Sequence, residues 1–387
     1  MRADWLSRPA RDFAVLLLFS YVLIAAVPIG ESGALQLSHL VAVALVITVA
    51  TGRRFEPDIH PWLLPWFTFC VYAVAVAASW GARLGSAEPL LLALPYLLGA
   101  GVLWVVPVLA RQTPSILVTG LYATCIATGI GLNVMLMLAG YGYSVHVERG
   151  TLAFANPNQL AYFCLLIASV AAACAFIVGH GRLAALAGLV TMAVPVVVTQ
   201  SKAGILGAIV LLGVIVFFPV RRRLLSVSIA LAVAGYVIVQ YGDAVLDLVP
   251  RWRSFATEAD DTLAARGYDR LWRYPEYLLF GAGEGEYERF AGLQAVEIHS
   301  SVVNILFSYG LVGFLLFAYG SLRVLIPAGR WAMLLLPAVA YGMTHNGLRQ
   351  PLLWILVGLC AIAPALHVAL RVRRADPALS RHGTTSP

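Results

Sequence analysis

His299 stands at the head of the run Ser300-Ser301-Val302-Val303-Asn304-Ile305-Leu306-Phe307-Ser308-Tyr309-Gly310-Leu311-Val312-Gly313, where a long polar segment gives way to apolar sequence. A histidine at such a junction meets water, lipid headgroups and a soluble sugar at once. If the apolar run is a helix, its positive N-terminal end disfavours imidazolium, and a neutral imidazole near pH 7 can serve as a general base. His345 holds a comparable place ahead of the last apolar run and is the second candidate base. The plain alternative for either ring is satisfaction by headgroups or a backbone carbonyl.

Cations accompany the histidines. Lys202 is the only lysine in the chain, in Thr199-Gln200-Ser201-Lys202-Ala203-Gly204. It reads either as a lysine snorkelling at a helix start or as a point charge for a phosphate or pyrophosphate. Arg266, Arg270 and Arg273 are spaced four and then three residues apart, as on one face of a helix, and arginine forks match phosphate oxygens. The competing reading pairs them with Asp269 or Glu276 on the same helix. Gly281-Ala282-Gly283-Glu284-Gly285 looks like a phosphate cradle but lacks a following Lys-Ser/Thr and a preceding strand, so it is expected to be a tight turn between two surface helices. Glu258, Asp260 and Asp261 suit a divalent ion, but an acidic solvated loop explains them more simply. No metal site and no cofactor is expected. The cysteines Cys70, Cys125, Cys164, Cys174 and Cys360 lack paired spacing and read as small buried apolar residues.

The elements that position these groups follow from hydropathy. The chain is 60% hydrophobic and 12% charged, against roughly a quarter charged in a soluble domain. Uncharged runs near the ~20 residues that cross a bilayer predict an all-α polytopic membrane protein, a single domain over 1–387. About twelve spans are expected, near 12–30, 34–51, 61–80, 88–110, 114–139, 158–179, 183–200, 203–220, 224–241, 299–322, 331–345 and 351–370. Short arginine-bearing loops stay cytoplasmic. With twelve spans, Arg53, Arg54, Arg111, Arg182, Arg221–Arg223, Arg323, Arg330 and Arg371–Arg374 all fall on one side, with both termini. The net charge of +7 is then a topology and lipid-headgroup signal and implies no nucleic acid. The outer side carries one large polar loop, 242–298, rich in charge and interleaved with aromatics. Loops of this length are functional or disordered, and the aromatics suit short surface helices or stacking on sugar rings.

Four outward clusters come from distant parts of the chain: Arg149 to Ala161, which includes Asn158; Thr199 to Gly204; Arg266 to His299; and Thr344-His345-Asn346-Gly347-Leu348-Arg349-Gln350-Pro351. Charges at helix ends can merely snorkel, but charge at membrane depth is costly and reads as functional by default.

The ordered set resembles the O-antigen ligase and O-antigen polymerase superfamily. His299-Ser300, then nine residues, then Gly310-Leu311-Val312-Gly313 is similar to its loop-to-span signature. Phe154-Ala155-Asn156-Pro157-Asn158-Gln159-Leu160-Ala161 resembles its Phe-x-Asn-Pro-Asn-x-Leu-Ala approach to a span. Gln200-Ser201-Lys202-Ala203-Gly204 resembles an outer turn that usually carries arginine. Arg270 with Trp272, then Phe280-Gly281-Ala282-Gly283, resembles an Arg…Trp…Gly-x-Gly stretch, although the short spacing leaves Arg266 as a rival counterpart. His345 and Pro351-Leu352-Leu353-Trp354 resemble the penultimate turn. The likeness covers about residues 150–370. It implies a metal-independent glycosyltransferase that moves a glycan from undecaprenyl diphosphate to an acceptor hydroxyl on the periplasmic face of the bacterial inner membrane. The acceptor is lipid A–core for a ligase, the expected role, or a growing glycan for a polymerase, the alternative. On that likeness His299 is the base, Arg270, Arg266 and Lys202 bind diphosphate, and Arg149, Asn158, Arg273, His345 and Arg349 line the substrate. A twelve-span secondary transporter is the alternative of another class. Transporters tend to repeat their halves and keep polar groups near the midplane, whereas these polar groups gather at helix ends.

Overall fold

A computed structural model describes residues 6–27, 36–52, 63–139, 151–152, 154, 156–218, 266–290 and 297–375. It is helical, with no β-strand among those residues. In chain order the helices are α1 (Arg8–Ile24), α2 (Leu37–Thr51), α3 (Leu64–Leu84), α4 (Glu88–Gln112), α5 (Pro114–Leu138), α6 (Pro157–Val178), α7 (Gly181–Val198) and α8 (Lys202–Phe217). The short α9 (Arg270–Arg273) follows, then α10 (Ser301–Ala328), α11 (Leu336–Gly342) and α12 (Pro351–Ala375). Among the described residues seven helical segments are long and apolar enough to cross a membrane, and α2 and α8 are shorter apolar helices. The span expected at 224–241 lies outside the described residues, as does 242–265 of the expected loop.

The most buried helix is α6. Its most apolar window is buried throughout, because α5, α7, α8, α11 and α12 pack around it. Its sequence is apolar on every side, as a central helix requires. Its run of small residues, Ala171-Ala172-Ala173-Cys174-Ala175, is fully buried. Small residues let neighbouring helices approach closely where lipid supplies no hydrophobic drive for association. Asn156 caps the helix, its side chain accepting from the Asn158 N–H at 2.8 Å. The buried helix therefore delivers Asn156 and Asn158 to the middle of one end of the bundle.

The expected eleventh span differs in detail. Residues Gly329–Leu335 form a 3-10 stretch and only Leu336–Gly342 is α-helical. Pro337 sits in the first turn of α11, where its missing N–H is tolerated but from which an α-helix cannot extend backwards unbroken. The segment still folds back on α10: the Ser301 hydroxyl donates to the His345 carbonyl and accepts from the Gly347 N–H, both at 3.2 Å. The start of α10 and the end of α11 are thus neighbours.

A break in α10 is the second departure from expectation. Gly310 has φ 67° and ψ −175° inside the helix. The freed backbone pairs with the preceding polar segment: Leu311 N donates to Leu278 O at 2.7 Å, Gly283 N to Ser308 O at 2.8 Å and Ala282 N to Phe307 O at 3.0 Å. Non-helical backbone beside a membrane is tolerated when protein satisfies it in this way. A Cβ on Gly310 would lie 2.4 Å from Leu279 O, and one on Gly281 would lie 2.3 Å from Ser308 O. The expectation of a tight turn between surface helices at Gly281–Gly285 is therefore corrected: the glycines press against the break in α10.

Basic residues mark the other end of the bundle. Arg330 lies over the Phe218 ring at 5.4 Å, and Arg374 reaches the α6–α7 turn at Gly179.

Candidate functional site

The end of α11, the segments that open α10 and α12 and the residues flanking the α3–α4 turn contact residues 266–290 at one end of the bundle, and the start of α6 joins them through Tyr341, with α8 packed on α6. Ser300 caps α10 and the helix begins at Ser301, so His299 is the last residue before the cap rather than part of the span. It is half-buried, between Ile298 and Ser300, which are both buried. Its N–H donates to the Arg266 carbonyl at 3.2 Å. The Arg266 side chain crosses to the other histidine turn, with Nη1 3.3 Å from the Thr344 carbonyl. Tyr268 makes a parallel contact, its hydroxyl donating to Met343 O at 3.3 Å.

The rings form a column. His299 and His345 stack with centroids 6.0 Å apart and planes 14° apart. His345 stacks on Tyr341 at 4.9 Å, and Tyr341 on Tyr162 at 4.2 Å. The Tyr341 hydroxyl donates to Asn158 O at 2.8 Å, which fixes the base of the column to the start of α6. His345 Nδ1 lies 3.1 Å from Thr344 Oγ1; which of the two donates depends on the ring tautomer.

Lys202 is half-buried at the first position of α8. The turn before it is held by hydroxyls: Ser201 N–H donates to Thr199 Oγ1 at 3.2 Å, and Gly204 N–H to Ser201 Oγ at 3.2 Å. Gly204 packs on Ala161 of α6, so Lys202 opens α8 close to the start of α6.

The three arginines do not share one helical face. Residues 266–269 are in turn conformation, and the helix holds only Arg270–Arg273. Arg270 is fully buried, with its guanidinium carbon 5.1 Å from the Tyr287 ring centroid and 5.3 Å from that of Phe290. Burial lowers its pKa, partly offset by Tyr287 and Asp269. Arg273 is half-exposed and pairs with Asp269 at 3.0 Å, which is the competing reading anticipated from the sequence. The loop aromatics Tyr274, Tyr277, Tyr287 and Phe290 pack with Phe307 of α10 in a cluster separate from the main core. Trp272 and Phe280 remain exposed.

Behind the column lies a buried polar network. Glu284 has no exposed surface. It accepts from the Tyr96 hydroxyl and from Asn304 Nδ2, each at 2.7 Å, and it pairs with Arg349. Arg349 also pairs with Glu297 at 2.8 Å. Burial pushes the Glu284 carboxyl above its usual range, with the Arg349 charge the chief opposing influence. Expected as a substrate contact, Arg349 is thus engaged by two carboxylates of the protein.

Sequence reading missed Glu284, Glu297, Tyr341 and Tyr162. A carboxylate framed by glycines, as in Gly283-Glu284-Gly285, was an available signal, since close backbone packing there buries a charge that must find a partner. Nothing local marked Tyr162 or Tyr341 among the chain's many aromatics. Arg149, Glu258, Asp260 and Asp261 lie outside the described residues. Among the described residues no group of three or more His, Cys, Asp or Glu side chains could hold a metal ion.

Residues 187–318 match the family model for O-antigen ligase. That stretch contains Lys202, Arg266, Arg270, Arg273 and His299, while Asn158, His345 and Arg349 lie beyond it. No curated protein matches the chain. Together with seven helical segments long and apolar enough to cross a membrane among the described residues, the match over the segment that holds Lys202 and His299 supports membership of the O-antigen ligase superfamily.

Proposed function

We propose that the protein is an O-antigen ligase of lipopolysaccharide biosynthesis. In this reading it transfers a finished polysaccharide from undecaprenyl diphosphate to lipid A–core at the periplasmic face of the cytoplasmic membrane, with both termini in the cytoplasm. The observation that carries the reading is the meeting of His299, His345 and Arg266 at one mouth of an apolar bundle. His299 takes the proton of the acceptor hydroxyl while its oxygen attacks the anomeric carbon. The bond to the diphosphate breaks, and the departing charge is neutralised by cations placed in advance. Arg266 and Lys202 serve as those cations. Arg270, beneath two rings, shapes the loop that carries Arg266. Asn158 and His345 line the acceptor side, Arg149, outside the described residues, is kept as a substrate-binding candidate, and Arg273 stays paired with Asp269. The acidic residues Glu258, Asp260 and Asp261 take no part.

The test is a deletion strain complemented with wild type or His299→Ala, read on a gel of surface glycans beside the lipid-linked pool. General-base removal costs about 10²–10⁴-fold, so His299→Ala is expected to leave core without O-chain while polymer accumulates on the carrier. Core bearing one repeat, with no long polymer anywhere, identifies a polymerase instead. Unchanged lipopolysaccharide points to a separate exopolysaccharide. Wild-type ladders from His299→Ala remove His299 from the reaction.

A further inference from the structure

The turns that carry the two histidines are tied by side chains that take no part in the ring column. Glu297 lies two residues ahead of His299, and Asn346 directly follows His345. Asn346 Nδ2 donates to Glu297 Oε1 at 2.5 Å. Arg349 Nη2 reaches that same oxygen at 2.8 Å, and the same nitrogen pairs with buried Glu284. Glu284 is in turn fixed by Tyr96 of α4 and Asn304 of α10, and Asn304 Oδ1 accepts from Ser308 at 3.1 Å. The contacts run without a gap from two packed helices, through Glu284 and Arg349, to the segment ahead of His299 and the segment after His345.

This arrangement differs from that of a substrate ligand. A phosphate-binding arginine presents its fork to the site, whereas Arg349 is spent on two carboxylates of its own chain. Breaking such a pair leaves a buried charge uncompensated, so Arg349 has little freedom to turn toward a substrate. Glu297 is half-buried and is the point where the tie meets the histidine turn.

We propose that Glu297 is a positioning residue, bridged to Asn346 and Arg349 so that the His299 and His345 rings hold their parallel separation, and that Arg349 serves this tie rather than the substrate. The inference rests on the transferase reading above. Misplacing a reacting group by an ångström can cost about 100-fold in rate, so a tie at this point governs turnover more than substrate affinity.

The experiment uses the full chain purified in detergent, with polyprenyl-diphosphate-linked glycan from the deletion strain as donor and lipid A–core as acceptor. Glu297→Ala and Asn346→Ala are each expected to lower kcat about ten-fold or more with the donor KM unchanged. The double variant is expected to be no worse than the weaker single one, because both remove one tie. Glu297→Gln keeps an oxygen that can accept from both partners, so its kcat is expected within about three-fold of wild type. Thermal melting in detergent, expected within a few degrees of wild type for Asn346→Ala, separates the effect from misfolding. Glu297→Gln as inactive as Glu297→Ala would overturn the proposal and make Glu297 a proton-transfer group. A raised donor KM with kcat intact, or additive losses in the double variant, would overturn it too. A wild-type chain that transfers while Glu297→Ala transfers equally well removes this inference alone. A wild-type chain that moves no glycan removes the transferase reading and the inference together.

Discussion

Two arginines four residues apart have opposite surroundings. Arg270 has no exposed surface and lies over Tyr287 and Phe290, whereas Arg266 is half-buried and bridges the two histidine turns through Thr344. A desolvated cation over aromatic faces contributes about 2 kcal/mol or more. Arg270→Ala is therefore expected to lose about 2 kcal/mol of stability, read as a lower melting temperature in detergent. Arg266→Ala is expected to melt near wild type but lose about 100-fold or more in transfer, in line with removal of one charge-stabilising donor. Equal melting and unequal activity in the other direction would move the diphosphate contact to Arg270. Sequence could not choose between them, because spacing reports a helical face only where a helix exists, and here the helix starts at Arg270.

At the scale of elements, the decisive feature is the break in α10. Two pieces of the family resemblance, Phe280-Gly281-Ala282-Gly283 and Gly310-Leu311-Val312-Gly313, are the two sides of one contact, with Leu311 N bonded to Leu278 O at 2.7 Å. Hydropathy registers 299–322 as one continuous span because it counts apolar residues and is blind to φ. Gly310→Ala is expected to destabilise the protein by at least about 1–3 kcal/mol, the cost of a strained backbone conformation, with a lower melting temperature and weaker transfer. A variant that melts like wild type would mean that α10 can straighten there without cost. The central helix α6, by contrast, was legible: an apolar sequence on all sides, begun by Asn-Pro, specified a buried helix with a capped start, and the observed α6 (Pro157–Val178) starts and ends one residue from the expected 158–179.

At the scale of the whole molecule, the bundle has two chemically distinct ends. His299, His345, Lys202 and Glu284 belong to one, and Arg330 and Arg374 to the other. The cysteines are all buried, so an introduced thiol can be read without background. With the proposed orientation, Glu288→Cys is expected to react with a membrane-impermeant maleimide in spheroplasts, and His180→Cys only after permeabilisation. Both positions are exposed. The reverse pattern would invert the protein in the membrane and place the histidine mouth in the cytoplasm, away from the proposed acceptor.

The sequence by itself determined the helical class, the membrane setting and the gathering of His299, His345, Lys202 and Arg266 toward one end. Those follow from local quantities: the length of apolar runs, the placement of arginines and the alternation that each crossing imposes. Only the tertiary structure decided that His299 and His345 stack, that Arg270 is buried, and that Arg349 is held by Glu284 and Glu297. These pairings join residues as much as 65 positions apart, as with Glu284 and Arg349, and Glu284 is held in turn by Tyr96, 188 positions away. They depend on how a broken helix receives the loop that precedes it, which no local pattern encodes.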